Sequence, residues 1–316
     1  MTRRLVIASA QWAQYERQFA AALGEGWRVS AGLPEVDWLR RELPGADALV
    51  ALEIPPAALP AAAGLPLLLY PGAGLLHLEP HAYPAGCVVA NVFEHGPGIA
   101  EYVMAVILMH VTRVLHYAAS FRRGEWAGAG RLGGVPHGEA RGRTVGLIGF
   151  GAIGQAVAAR AAAFEMRVLH VTGHGGDLAA LLRESDFVVV ACPLTPRTRG
   201  LIGAAELALL KPTAYLINVA RGEIVEEHAL FEALRDGRIA GAALDAWYRY
   251  PERVTDLLHG SALPFHELPN TLATPHMSAW TAELIERRIA RMVENLQRFE
   301  RGEPLERVVL EGAWTG

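Results

Sequence analysis

The chain has 316 residues, is 52% apolar with a mean hydropathy of +0.20, and carries a net charge of −4. That length exceeds one ordinary core and suits two domains. The weak negative charge, with no block of like charges, argues against nucleic acid or an anionic membrane as a partner.

The N-terminal stretch MTRRLVIASAQW holds two arginines, but its apolar run is far too short for a signal-peptide core, so it predicts a first strand. Strand-length apolar runs at 5–8, 48–52, 67–70 and 88–92 alternate with helical stretches, the pattern of a small parallel α/β unit. The run at 67–70 ends in Pro71-Gly72-Ala73-Gly74, a turn that leaves backbone N–H groups at the carboxyl edge of a sheet. Cys87 and Cys192 lie in separate strand-like runs without C-x-x-C spacing, which predicts reduced thiols and a cytoplasmic location.

Residues 98–121 predict one long helix, apolar on nearly every face, which must be buried by another domain or by a second copy of the chain. His110 and Arg113 interrupt its most hydrophobic part well before it could span a bilayer. The glycine-rich segment 122–143 reads as an extended arm, and its Trp126 as structural.

Strands are next predicted at 145–150, 167–171, 187–191, 214–219 and 240–244, with an alanine-rich helix at 151–163, together a doubly wound parallel sheet. The stretch GLIGFGAIG, 146–154, therefore has a strand before it and a helix after it. In that setting Gly149 permits a tight turn, Gly151 lets backbone approach a pyrophosphate, and Gly154 lets the helix pack on the strand. A helix at 282–301 leads to a tail too short to be a domain, which predicts that it returns to the first one. The expected division is a discontinuous substrate domain, 1–96 and 281–316, around a dinucleotide-binding domain, 97–280.

The turn GAG at 72–74, AEYVMAVIL from Ala100, the GFGAIG loop, ACPLTPRTRGLI from Ala191, INVARGEIVEEHAL from Ile217, GAALDAWYRYP from Gly241 and ATPHMSAW from Ala273 are together specific. By these motifs, which cover most of the chain, it resembles the D-2-hydroxyacid dehydrogenases, a family that includes glyoxylate/hydroxypyruvate reductases and formate and phosphite dehydrogenases. The resemblance implies a Rossmann-type coenzyme domain inserted into a smaller flavodoxin-like α/β substrate domain. It also implies a homodimer formed through residues 98–143, a small 2-keto or 2-hydroxy acid as substrate, and no metal.

The same resemblance assigns the site. Arg221 would hold the substrate's carboxylate and keto oxygen with a charged fork, and His276 would serve as general acid, its pKa lying near working pH. The family's third member, a glutamate that raises the histidine's pKa, is absent: Tyr250 stands in its place. Two expectations follow, a His276 that is less readily protonated, or a Tyr250 hydroxyl that orients the ring by a hydrogen bond. The N–H groups of Ala73 and Gly74 would meet the carboxylate, with His95 and Trp280 lining the pocket. Gly149, Gly151, Ala152, Ile153, Gly154, Pro193, Thr195, Ala220, Arg221, Asp245 and His276 would follow the dinucleotide, Asp245 bonding the nicotinamide carboxamide. At Thr172, NAD-specific relatives place an aspartate that would repel a 2′-phosphate; Thr172 does not repel one, and His174 and Arg197 could contact it, so NADP is expected ahead of NAD. Asp177 is the nearby acid that could bind a ribose instead. Two alternatives remain open: a formate- or phosphite-type dehydrogenase, and a dinucleotide-sensing binding protein of the same fold.

Overall fold

The computed structural model describes residues 2–74, 78–251 and 255–315. Its strands are β1 (Arg3–Ala8), β2 (Trp27–Gly32), β3 (Ala48–Val50), β4 (Leu67–Tyr70), β5 (Val88–Asn91), β6 (Thr144–Ile148), β7 (Arg167–Val171), β8 (Phe187–Val190), β9 (Tyr215–Asn218), β10 (Gly241–Leu244), β11 (Thr271–Ala273) and β12 (Val308–Glu311). The chain forms two compact units, Met1–Glu94 with Ala282–Gly316, and His95–Thr281.

The discontinuous unit holds a six-stranded sheet ordered β2-β1-β3-β4-β5-β12, parallel except for β12, which runs antiparallel to β5. Strands β3 and β4 are buried throughout, as strands covered on both faces must be. Alternate residues of β4 go to opposite cores: Leu68 and Tyr70 pack with Leu39, Leu49 and Val89, whereas Leu67 and Leu69 pack with Trp12, Phe19, Met292 and Leu296. The helix Ala282–Arg301 supplies the last two, with Ile289 and Val293, from one stripe at helical spacing. The C-terminal tail forms β12 beside β5, with a register shift between Val308 and Leu310. Strand β2 was not among the sequence-predicted strands because only Trp27 of it is buried.

The second unit holds six parallel strands ordered β7-β6-β8-β9-β10-β11. The chain leaves β6 for β7 on one side and returns to β8 on the other, so the order reverses beside the carboxyl end of β6. Open α/β sheets bind ligands at such a point, and the glycine loop occupies it.

The single helix expected over 98–121 is two, Gly96–Thr112 and Val114–Arg122, bent by 59° at Arg113. Arg113 has a left-handed φ of +52° that ends the first helix, a break with no proline or glycine to announce it. The first helix packs on the helix Ala152–Ala163, close enough that a Cβ at Gly96 would lie 3.0 Å from the Ala152 carbonyl oxygen. On the single chain the second leaves Val114, Leu115 and Phe121 exposed. Among the described residues no single helix is long and apolar enough to cross a membrane.

Candidate active site

The sequence-predicted residues of the second unit converge on the carboxyl ends of β6 to β11. Gly149 follows β6 with a φ of +105°, and a Cβ there would lie 2.7 Å from both the Ala191 oxygen and the Cys192 nitrogen at the end of β8. Glycine is thus required by conformation and by space. A Cβ on Gly154 would strike the Gly149 carbonyl, whereas one on Gly151 would meet nothing within 4 Å. The N–H groups of Phe150, Gly151 and Ala152 donate to no described residue, and they open a 12-residue helix whose positive end favours an anion. Ile153 is half-buried and packs on the core beneath.

At the end of β7, Thr172 and Gly175 pair backbone to backbone, and the Thr172 hydroxyl accepts the His174 N–H at 3.3 Å. Both side chains are exposed. Asp177 caps the helix Leu178–Glu184, its Oδ1 accepting the Ala180 N–H at 3.0 Å. After β8, Pro193 and Thr195 are locked by Thr198, whose hydroxyl donates to the Pro193 carbonyl at 2.7 Å and accepts the Thr195 N–H at 2.7 Å. Arg197 is exposed on this loop.

Arg221 lies three residues past β9. The buried Asn218 grips both sides of that turn, donating to the Arg221 carbonyl at 2.9 Å and accepting the Ala220 N–H at 3.1 Å. Arg221 spends one N–H on the Ala220 carbonyl, at 2.7 Å, leaving the rest of its fork.

His276 occupies a left-handed φ of +55°, a conformation a non-glycine residue keeps only where its surroundings impose it. The imposing group is Asp245, just past β10 and 1% exposed. Its Oδ1 accepts from the Thr274 hydroxyl (2.6 Å) and the Met277 N–H (2.9 Å), and its Oδ2 from the Ser278 N–H (2.9 Å). Since Thr274 gives its only proton to Asp245, Tyr102 must donate to Thr274, at 2.8 Å; burial pushes the Tyr102 phenol up to about 12. Trp247 Nε1 adds a bond to the Thr274 carbonyl at 2.8 Å. Asp245 therefore points into the turn that carries His276, and a carboxamide contact would have to use lone pairs left over from those three bonds.

The expected hydrogen bond from Tyr250 to His276 is absent. The two rings lie 5.4 Å apart between centroids, tilted by 49°, and the Tyr250 hydroxyl instead accepts the Trp247 N–H at 3.1 Å. Burial lowers the His276 pKa, the Asp245 carboxylate opposes that shift, and the Arg221 guanidinium adds to it. Trp280, 38% exposed, lies four residues beyond His276, and the half-buried His95 precedes the helix Gly96–Thr112.

Ala73 and Gly74 belong to the other unit, past β4, and their N–H groups donate to no described residue. Sequence reasoning missed Asn218, Thr198, Thr274 and Tyr102. All four sit inside the quoted motifs, but only the folded chain reveals which groups they hold.

Residues 104–278 match the sequence model of the family described as D-isomer specific 2-hydroxyacid dehydrogenase, NAD binding domain. Glycerate dehydrogenase of Methylorubrum extorquens is 35% identical over 69% of this chain and 70% of that protein. Glyoxylate reductase of Thermococcus gammatolerans is 37% identical over 65% of this chain and 63% of its own length, under two thirds of it. A crystal structure of an NADPH-dependent glyoxylate/hydroxypyruvate reductase from Sinorhizobium meliloti, in complex with NADP and sulfate, is 26% identical and aligns over 98% of both chains with a TM-score of 0.78. The chain belongs to the D-isomer specific 2-hydroxyacid dehydrogenase family and is an oxidoreductase of that kind.

Proposed function

We propose that this protein reduces a small 2-keto acid of the glyoxylate or hydroxypyruvate kind to the D-2-hydroxy acid, with NADPH preferred over NADH. The observation that carries this reading is that Arg221, just past β9, and His276, just past β11, follow strands of the sheet whose carboxyl edge bears the glycine loop, with the guanidinium charge acting on the imidazole. The dinucleotide, when bound, supplies hydride to the carbonyl carbon. Arg221 holds the carboxylate and keto oxygen with the N–H groups it does not give to Ala220. Protonated His276 donates its ring proton to that oxygen as negative charge develops there, and takes it back in the reverse direction. Asp245 keeps the imidazole aimed by fixing its turn, a role that accounts for burying a carboxylate there.

The N–H groups of Ala73 and Gly74 receive the carboxylate, and His95 and Trp280 contact the rest of the substrate. Gly149, Gly151, Ala152, Ile153 and Gly154 form the pyrophosphate cradle, with Pro193, Thr195 and Ala220 along the dinucleotide. For the 2′-phosphate, Thr172, His174 and the exposed Arg197 are the candidate contacts, while Asp177 gives one oxygen to a helix cap. A homodimer through residues 98–143 is supported by Leu115, Phe121, Trp126, Leu132 and Val135, all more than half exposed on this one segment. A cavity of about 910 Å³ beside it, lined by His110, Leu115, Arg143, Tyr215 and Thr271, opens at the amino ends of the strands, away from the glycine loop, and suits that interface better than catalysis.

The test is a panel of glyoxylate, hydroxypyruvate, pyruvate and formate with each nicotinamide cofactor. The highest kcat/KM is expected for a two- or three-carbon keto acid with NADPH. A preference for NADH of about tenfold or more, roughly 1.4 kcal/mol, removes the cofactor assignment, and turnover of formate alone removes the substrate assignment.

A further inference from the structure

The turn that leaves β4 is held from beneath by three buried side chains. Arg288, on the helix Ala282–Arg301 and 7% exposed, donates from Nη1 to the Pro71 carbonyl at 3.2 Å and from Nε to the Phe93 carbonyl at 2.9 Å. Asn91, 4% exposed at the end of β5, donates to the Gly72 carbonyl at 3.3 Å. The Tyr70 hydroxyl donates to the Gly74 carbonyl at 3.0 Å. Gly72 must be glycine, since a Cβ there would lie 2.7 Å from the Tyr70 ring. Three carbonyls are therefore anchored to buried donors, while the Ala73 and Gly74 N–H groups donate to no described residue. The bond to the Gly72 carbonyl also polarises the peptide whose N–H is that of Ala73.

Arg288 is the charged member of this set, and among the described residues no carboxylate hydrogen-bonds to it. The acid whose charge acts on it, Glu94, is already shared by Arg291 at 3.6 Å and Arg307 at 3.3 Å. Burial brings the Arg288 guanidinium down to about 10, which leaves it charged at neutral pH. A buried cation with so thinly spread a counter-ion is costly unless another negative charge comes close. An anion on the Ala73 and Gly74 N–H groups supplies that charge.

We propose that Arg288 is a positioning residue for the substrate's carboxylate: it pins the Pro71 carbonyl inward and gives the Ala73–Gly74 donors a positive field from beneath. This rests on the assignment of those two N–H groups to the carboxylate. The residue does not touch the substrate, so its effect belongs in ground-state anion binding.

The experiment measures kcat and KM for glyoxylate, the inhibition constant of oxamate as a carboxylate mimic, the NADPH dissociation constant and the melting temperature, in Arg288→Met, Arg288→Lys, Asn91→Ser and Ala73→Pro. In Arg288→Met, KM and the oxamate constant are expected to rise together by about tenfold, with kcat within about threefold and NADPH binding unchanged. Arg288→Lys recovers part of the loss, and Asn91→Ser, which removes a bond without changing charge, raises the same constants by less. A folded Arg288→Met variant with a lower melting temperature but unchanged KM and oxamate constant makes Arg288 a structural staple and overturns the proposal. If Arg288→Met does not fold, unchanged constants in both Arg288→Lys and Asn91→Ser overturn it equally. Ala73→Pro removes one donor outright. If it raises KM while Arg288→Met does not, the carboxylate assignment stands and only the role of Arg288 falls; if it leaves KM unchanged, the carboxylate assignment falls and this inference with it.

Discussion

The ring of Tyr250 stands 5.4 Å from the ring of His276, and its hydroxyl is turned away to accept the Trp247 N–H. Position 250 thus brings an aromatic face to the imidazole and no negative charge. Burial and the Arg221 charge lower the His276 pKa below its ordinary 6.5, with Asp245 opposing them. Reduction needs the protonated ring, so its kcat/KM is expected to fall as pH rises through a value below 6.5, while hydroxy-acid oxidation, which needs the neutral ring, rises over the same interval. Tyr250→Glu places a carboxylate beside the imidazole and moves both limbs upward by about one pH unit or more. Profiles in both directions check this, and a wild-type reduction rate level to about pH 8 contradicts it.

Asp245 is the keystone of the His276 turn. In Asp245→Asn one acceptor oxygen becomes an amide that faces backbone N–H groups, leaving a buried donor unsatisfied. A loss of about 1–3 kcal/mol in unfolding free energy is expected, with a fall in kcat of tenfold or more because the left-handed conformation of His276 loses its support. Denaturant titration and steady-state rates measure the two. An equally stable variant with full activity assigns the turn's conformation to something else.

Much of this arrangement was legible in residue patterns. The apolar runs of β3, β4, β8 and β9 gave themselves away because both faces of a parallel sheet are buried, and the glycine loop was readable because Gly149 and Gly154 have no sterically allowed substitutes. What escaped notice lacks a periodic signal. β2 is a half-exposed edge, β11 has three residues, and the break at Arg113 is a choice of backbone conformation without a helix breaker. The jobs of Asp245 and Tyr250 escaped because they depend on partners 29 to 33 residues away for the first, and on a hydroxyl orientation for the second.

Thr172 is the position where cofactor choice is expected to turn. Thr172→Asp adds a carboxylate at the end of β7, where it would repel a 2′-phosphate and accept from ribose hydroxyls. The ratio of kcat/KM for NADPH over NADH is expected to fall by about tenfold or more. An unmoved ratio shows that the adenosine end of the cofactor lies elsewhere.

The exposed hydrophobic segment predicts assembly. Replacing Leu115 and Phe121, 57% and 61% exposed, by glutamate costs little in an isolated chain but disrupts an interface that buries them. Light scattering is expected to give the mass of two chains for the wild type and of one for the double variant. A monomeric wild type rules this interface out.

The most direct measurement compares the rate of NADPH oxidation with glyoxylate in the wild type, His276→Ala and Arg221→Met, with NADPH affinity determined for each. A loss in kcat/KM of about 10²- to 10⁴-fold in His276→Ala, and a comparable loss in Arg221→Met, are expected while the cofactor still binds. Less than a tenfold loss in either folded, cofactor-binding variant would mean that the imidazole and the guanidinium do not act on the reacting oxygen.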